Sequence, residues 1–208
     1  MTRGRIVIDL FTTLDGVAQA PGGPEEDTTG GFRFGGWQAP FRDEIIGEDI
    51  SAGIRRMDAL LLGRRTYDIF SGYWPQHTTG PEGFIGQHFD EIPKYVATRS
   101  DLQPDWQGTT VLDASDVVAA VDELRDRHEE IHVIGSVDFV QTLLRARAFD
   151  ELKLWVYPIV LGVGKKVFPD GADAQRLTLI APAVTGSEGV LLLRYAPAGD
   201  VETGDMTL

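Results

Sequence analysis

From Ile6 to Leu144, short apolar runs alternate with segments whose apolar residues recur at helical spacing; from Leu152 onward only strand-like patterns remain. Such alternation returns successive strands to one sheet through helical crossovers, so the strands run parallel and both faces are covered. The predicted fold is α/β, a three-layer α/β/α arrangement whose mainly parallel sheet gains antiparallel strands from the C-terminal third. Residues 1–199 read as a single domain and 200–208 as a loose tail.

The opening strand, Ile6 to Phe11, is followed by the turn pair Asp15-Gly16. Glycines and prolines recur from Ala20 to Pro40, and a loop of that length in a compact domain goes with function or mobility. Ile46, Ile50, Ile54 and Met57 mark an amphipathic helix over 43–57. Ala59 to Leu62 reads as a strand that turns at Gly63 into a short helix opened by Arg64-Arg65-Thr66-Tyr67-Asp68, and 71–87 reads as a second Gly/Pro-rich loop. Further strands are expected at 94–98, 110–112 and 131–134, with helices capped by Ser115 or Asp116 and opened by Gly135-Ser136. Leu152 to Val160 is strand-like, and 177–184 with 190–195 form a hairpin around Gly186-Ser187-Glu188-Gly189.

Charge narrows the function classes. Nineteen Lys and Arg against 32 Asp and Glu give a net charge of −13, which opposes binding to nucleic acid or anionic membranes. The absence of Cys excludes disulfides, thiol catalysis and cysteine-ligated metals. With no signal-peptide pattern at Met1 to Arg5 and no apolar run long enough to span a bilayer, a soluble cytoplasmic protein is expected. Ser51, Ser71 and Ser136 lack the nucleophile-elbow glycines, and neither a strand-to-helix G-x-G-x-x-G nor a Walker-type loop occurs. His128 and His132 are four apart, but a strand beginning at Ile131 breaks their shared helical face, and His77 and His88 lack carboxylate partners; no metal site is expected.

Ligands of open α/β sheets lie beyond the carboxyl ends of the strands, where helix N-termini and free amides converge. Three strand exits carry matching groups: Gly63-Arg64-Arg65-Thr66, Thr98-Arg99-Ser100 and Gly135-Ser136-Val137. Hydroxyls, guanidinium forks and glycine-bared amides are phosphate-binding groups, and three arginines at two exits of an acidic chain point to an anionic cofactor. Arginines that merely pair with surface carboxylates are the plainer alternative.

The ordered series Thr12-Thr13-Leu14-Asp15-Gly16, Leu61-Leu62-Gly63-Arg64-Arg65-Thr66-Tyr67, Thr98-Arg99-Ser100, Ile134-Gly135-Ser136, Asp150-Glu151-Leu152 and Pro158-Ile159-Val160-Leu161-Gly162 with Gly164-Lys165-Lys166-Val167-Phe168 resembles the dihydrofolate reductase-like family. It is closest to the reductase domain of riboflavin-biosynthesis bifunctional deaminase-reductases and its stand-alone relatives, over residues 5–196. The resemblance implies a reductase that uses NADPH on a small pterin or ribosylamino-pyrimidine substrate, and a homodimer built on the C-terminal strands. It implies that Arg64, Arg65 and Thr66, next to Gly63, bind the cofactor phosphates; that Thr98, Arg99 and Ser100 hold the 2′-phosphate side; that Gly135, Ser136 and Val137 face the pyrophosphate; and that Thr13 and Asp15 lie near nicotinamide and substrate. Gly135-Ser136 departs from the paired glycine of the folate enzymes, and their pterin-binding acid cannot be chosen among Asp43, Glu44, Glu48 and Asp49. A non-catalytic nucleotide-binding module or a dimeric scaffold of the same fold is the alternative.

Individual residues keep two readings. Asp15 is either the proton donor or relay that hydride transfer requires or an ordinary turn residue. Trp37, Trp74 and Tyr73 either stack on a planar substrate or anchor their loops to the core. Lys165 and Lys166 either extend the phosphate cluster or, as the favoured reading, sit in a solvated turn.

Overall fold

The structure, a computed structural model, describes residues 3–206. Its strands are β1 (Arg5–Thr13), β2 (Ala59–Gly63), β3 (Lys94–Ala97), β4 (Thr109–Leu112), β5 (Glu130–Gly135), β6 (Glu151–Tyr157), β7 (Leu177–Leu179), β8 (Val184–Thr185) and β9 (Leu191–Pro197). They form one sheet in the order β4-β3-β2-β5-β1-β6-β9-β7, with β8 also paired to β9. Every pairing among β1 to β6 is parallel, and β9 is antiparallel to β6, β7 and β8.

The helices are α1 (Glu44–Arg56), α2 (Arg64–Tyr73), α3 (Gly83–Glu91), α4 (Val117–Leu124) and α5 (Val137–Ala146). Side-chain alternation along β1 sends Ile6, Ile8 and Leu10 to one face, where they are buried with Val121 and Leu124 of α4 and Val140, Leu143 and Leu144 of α5. The other face carries two apolar clusters. One gathers Trp37, Ile46, Trp155 and Tyr157; the other joins Ile54, Leu60, Leu62, Tyr67 and Phe89. Between them the central strands bury His132 and Lys153 beside a partly exposed Asp9, a polar seam roofed by α1.

Local chemistry sets the helix starts. Asp43 accepts the Ile46 amide at 3.2 Å, and Asp116, rather than Ser115, accepts that of Ala119 at 3.1 Å. Three expected boundaries are corrected. The segment 71–87 is largely helical: α2 runs to Tyr73, a 3-10 turn follows at Trp74–Gln76, and α3 begins at Gly83. Gly86 serves close packing, since a Cβ there would stand 2.3 Å from the His77 carbonyl oxygen. Strand β6 stops at Tyr157, because Pro158 has no N–H for a ladder. The first hairpin arm is interrupted around Ala181-Pro182 into β7 and β8, which both pair with β9.

Candidate functional site

Strands β3, β2 and β5 are parallel neighbours, so their carboxyl ends share one sheet edge. At that edge β2 feeds α2 and β5 feeds α5 with almost no spacer. Such turns require bare backbone: a Cβ on Gly63 would collide with Ser136, and one on Gly135, whose φ is +142°, would stand 2.6 Å from Thr66 Oγ1. The Gly135–Ser136 peptide is cis. Among the described residues α2 and α5 have no side-chain cap, unlike α1 and α4, so their first amides stay available to an anion. Asp138 is the acidic residue in the first turn of α5.

A cavity of about 490 Å³ lies by the β1 entrance and Arg125, remote from this edge; a larger one, about 840 Å³, opens on it. The larger cavity is lined in one part by Arg65, Thr66, Gly135, Ser136 and Val137, and in another by Ile50, Ile54, Phe70, Trp74 and Phe89. Asp9, Gln19, Asp27, Tyr73 and Lys165 supply further polar groups to its wall. One continuous space thus joins a polar, glycine-bared rim to an apolar recess, an arrangement suited to a long ligand with an anionic part and a flat apolar part.

The expected cofactor residues divide. Arg65, Thr66, Gly135, Ser136 and Val137 face the cavity, and Gly63 supports Ser136 from beneath. Arg64 turns away: its Nε donates to Asp68 at 2.8 Å, and Nη1 donates to Ser100 Oγ at 2.9 Å and to the Asp101 carbonyl at 3.0 Å. It braces α2 to the loop after β3, and in doing so brings two of the expected phosphate residues together outside the large cavity. Thr98 Oγ1 accepts the Ser100 amide at 3.2 Å, while Arg99 is exposed and makes no ion pair among the described residues.

Some of the expected site residues do not line the large cavity. Asp15 accepts the Thr13 hydroxyl at 2.6 Å, the Gly162 amide at 2.8 Å and the Leu161 amide at 3.2 Å, while Thr13 also accepts the Val17 amide at 3.0 Å. Burial pushes the Asp15 carboxyl upward, but these donors outweigh it and hold the group below its ordinary value. Asp15 is an ionised staple between the β1 turn and the segment after β6, and neither it nor Thr13 lines the large cavity. Trp37 is buried, donates Nε1–H to the Gln19 carbonyl at 2.8 Å and meets Tyr157 edge-on, so it anchors the 20–40 loop, and it does not line the large cavity. Trp74, half-buried against Phe70 and Phe89, does reach the cavity wall, as does Tyr73.

Sequence reasoning missed Asp9. Lys165, for which it favours a solvated turn over the phosphate cluster, lines the cavity; its Nζ donates to Asp27 at 2.8 Å, and Asp27 in turn lies 3.5 Å from Arg65. The signal for Asp9 was a charged residue inside a strand with both faces covered. His132, inside β5, carries the same signal; His128 instead meets the Tyr95 hydroxyl at 2.8 Å.

The uncharacterized protein YyaP of Bacillus subtilis (strain 168) is 25% identical over 193 residues, covering 92% of this chain and 94% of its own length. Among solved structures, a putative riboflavin biosynthesis protein from Shewanella sp. PV-4 superposes with a TM-score of 0.66 at 18% identity, over 93% of this chain and 99% of that one. Dihydrofolate reductase from Enterococcus faecalis superposes with a TM-score of 0.55 at 15% identity, over 94% and 97%. The fold is thus that of the dihydrofolate reductase-like proteins. Residues 5–192 match the family described as RibD C-terminal domain, and with nearly its whole length inside that match the chain belongs to this family.

Proposed function

We propose that the protein is an NADPH-dependent reductase that transfers hydride to a small planar heterocycle of pterin or aminopyrimidine type. The observation that carries this reading is the continuity of the cavity from the Thr66, Gly135 and Ser136 rim to the apolar recess walled by Ile50, Ile54, Phe70 and Trp74. Family membership and the Enterococcus enzyme of like fold, which was solved with NADP(H), support it.

The residues at hand fit such a cofactor. The close approaches at Gly63 and Gly135 leave room for backbone amides to meet a pyrophosphate, and Arg65 and Lys165 are cations on the same wall. Arg99, free of ion pairs among the described residues, with Thr98 and Ser100, would take the 2′-phosphate. Bound there, the cofactor would supply the hydride; the chain's own part is to hold the acceptor flat against Trp74 and Phe70, keep water out and provide a proton. The open recess favours an enzyme over a module that only holds nucleotide.

A homodimer on the C-terminal strands belongs to the same reading. Leu14, Val160, Val163 and Phe168 are exposed around the segment after β6, and Leu179, Ile180 and Val184 along the β7–β8 edge, an apolar surface that a second copy would cover.

The test is thermal stabilisation by NADPH against NADH, followed by NADPH oxidation with a panel of pterins, deazaflavins and aminopyrimidines. A rise in melting temperature with NADPH and turnover of one acceptor is the expected result; no protection by either cofactor overturns the reading.

A further inference from the structure

Hydride transfer to a C=N or C=O bond leaves the electron pair of that bond on the heteroatom, which must receive a proton. Asp15 lies outside the large cavity; of the acids that line it, Asp27 is tied to Lys165, Glu26 accepts the Gly22 and Gly23 amides, and Asp9 lies against the buried His132. We propose that His132 and Asp9 form a buried relay that delivers this proton into the cavity. The proposal rests on the reductase reading above.

The geometry is a line of groups with a sealed middle and two open ends. Glu130 Oε1 lies 2.9 Å from His132 Nε2, and His132 Nδ1 lies 3.6 Å from Asp9 Oδ2. The His132 side chain is 1% exposed, whereas those of Glu130 and Asp9 are 16% and 17% exposed, and Asp9 lines the cavity. Asp9 is oriented by Trp155, whose Nε1–H donates to its Oδ1 at 2.6 Å. Helix α1 closes the seam from above through Gly53, where a Cβ would stand 3.3 Å from Lys153 Nζ and 3.8 Å from His132 Cε1.

The surrounding charges suit this task. Lys153 Nζ from β6 lies 3.5 Å from Asp9 and 3.0 Å from Asp49 of α1; Arg56 of α1 lies 3.5 Å from Glu130; Glu151 of β6 is paired with Arg5 of β1 and Arg194 of β9. Burial alone would push the His132 imidazole down, but Asp9 and Glu130 on either side raise it, while His132, Lys153 and Trp155 lower the Asp9 carboxyl against its own burial. The seam thus sets an imidazole raised above its ordinary value between two carboxyls, Asp9 and Glu130, that are lowered below theirs. The 3.6 Å step is longer than a hydrogen bond, as catalytic contacts often are before substrate enters.

In the step itself, Asp9 takes the Nδ1 proton of His132 and passes it to the heteroatom of the acceptor, whose carbon would take the hydride that a bound cofactor supplies. One N–H bond breaks on His132 and one X–H bond forms on the product; His132 is left neutral with its remaining proton on Nε2 toward Glu130, and Nδ1 is reprotonated through Asp9 from the cavity once the product has left. The hydride would carry both electrons of the reduction, so the relay moves protons only.

The test joins 15N NMR of histidine-labelled full-length protein to NADPH-oxidation kinetics over pH. In the wild type, the His132 imidazolium should persist above the range of an ordinary histidine, and Asp9→Asn should lower its midpoint. His132→Gln should cut kcat roughly 100-fold and abolish its dependence on the NMR midpoint, without weakening NADPH binding. Asp9→Glu, which keeps a carboxylate, should retain part of the activity and the pH profile. A purely structural role would lower the melting temperature and leave the profile in place. A neutral His132 at pH 7, or an unchanged pH profile in folded His132→Gln, overturns the relay. Failure of NADPH to bind, or of every acceptor to be reduced, overturns the reductase reading and the relay's task with it; NMR separates the cases, since His132 is then protonated if only the reading failed and neutral if the relay itself is wrong.

Discussion

Gly63 and Ser136 approach so closely that a Cβ on Gly63 would stand 2.2 Å from Ser136 Oγ and 2.7 Å from the Phe139 Cβ. The start of α2 and the start of α5 are thereby locked at one distance, which fixes the rim of the cavity. Gly63→Ala must push them apart, at a cost of about 1–3 kcal/mol. Urea unfolding should register that loss, and NADPH protection should weaken in the same variant.

Asp15 reads as a staple, and its removal should act on stability before chemistry. Asp15→Ala leaves the Thr13 hydroxyl and the Leu161 and Gly162 amides without their acceptor, a loss of about 1–3 kcal/mol. Because the folded carboxyl titrates below its ordinary value of 3.8, its stabilisation is present above that pH and fades as pH falls through the lower folded value. Acid-unfolding curves of wild type and Asp15→Ala should therefore differ at neutral pH and converge in strong acid.

The two loop tryptophans should separate cleanly. Trp37→Phe loses the 2.8 Å bond to Gln19 and part of a buried indole, so stability should fall by about 1–3 kcal/mol with little change in KM. Trp74→Leu removes an aromatic cavity wall and should raise the KM of a planar acceptor roughly 10-fold, the equivalent of ~1.4 kcal/mol. Denaturation and steady-state kinetics on both variants check the contrast.

Arg65 and Arg99 should differ in what they recognise. Arg99→Ala should weaken NADPH about 10- to 100-fold and leave NADH nearly unchanged, since a charge-assisted bond is worth about 1.5–3 kcal/mol. Arg65→Ala should weaken both cofactors alike, because Arg65 lines the cavity beside Thr66 and Ser136. Calorimetric titration at low and high salt reads both effects, with the NADPH preference shrinking as salt rises.

Periodicity determined most of the layers, and where the parallel part gives way to antiparallel strands, because burying one face forces a repeat on the chain that survives without any partner in view; α3, in a Gly/Pro-rich stretch, escaped it. The glycines at 63 and 135 and the hydroxyls beside them were legible for a similar reason, since a tight strand-to-helix turn limits residue type locally. What each charge does was decided only in three dimensions. Arg64 and Arg65 are adjacent in the chain, yet one braces Ser100 and the other faces the cavity, because successive helical residues point about 100° apart and only packing says which direction holds the ligand. Lys165 meets Asp27 between two loops, and His132 meets Asp9 between neighbouring strands, each across more than 100 residues of sequence, and no local pattern records a pairing that the tertiary fold creates.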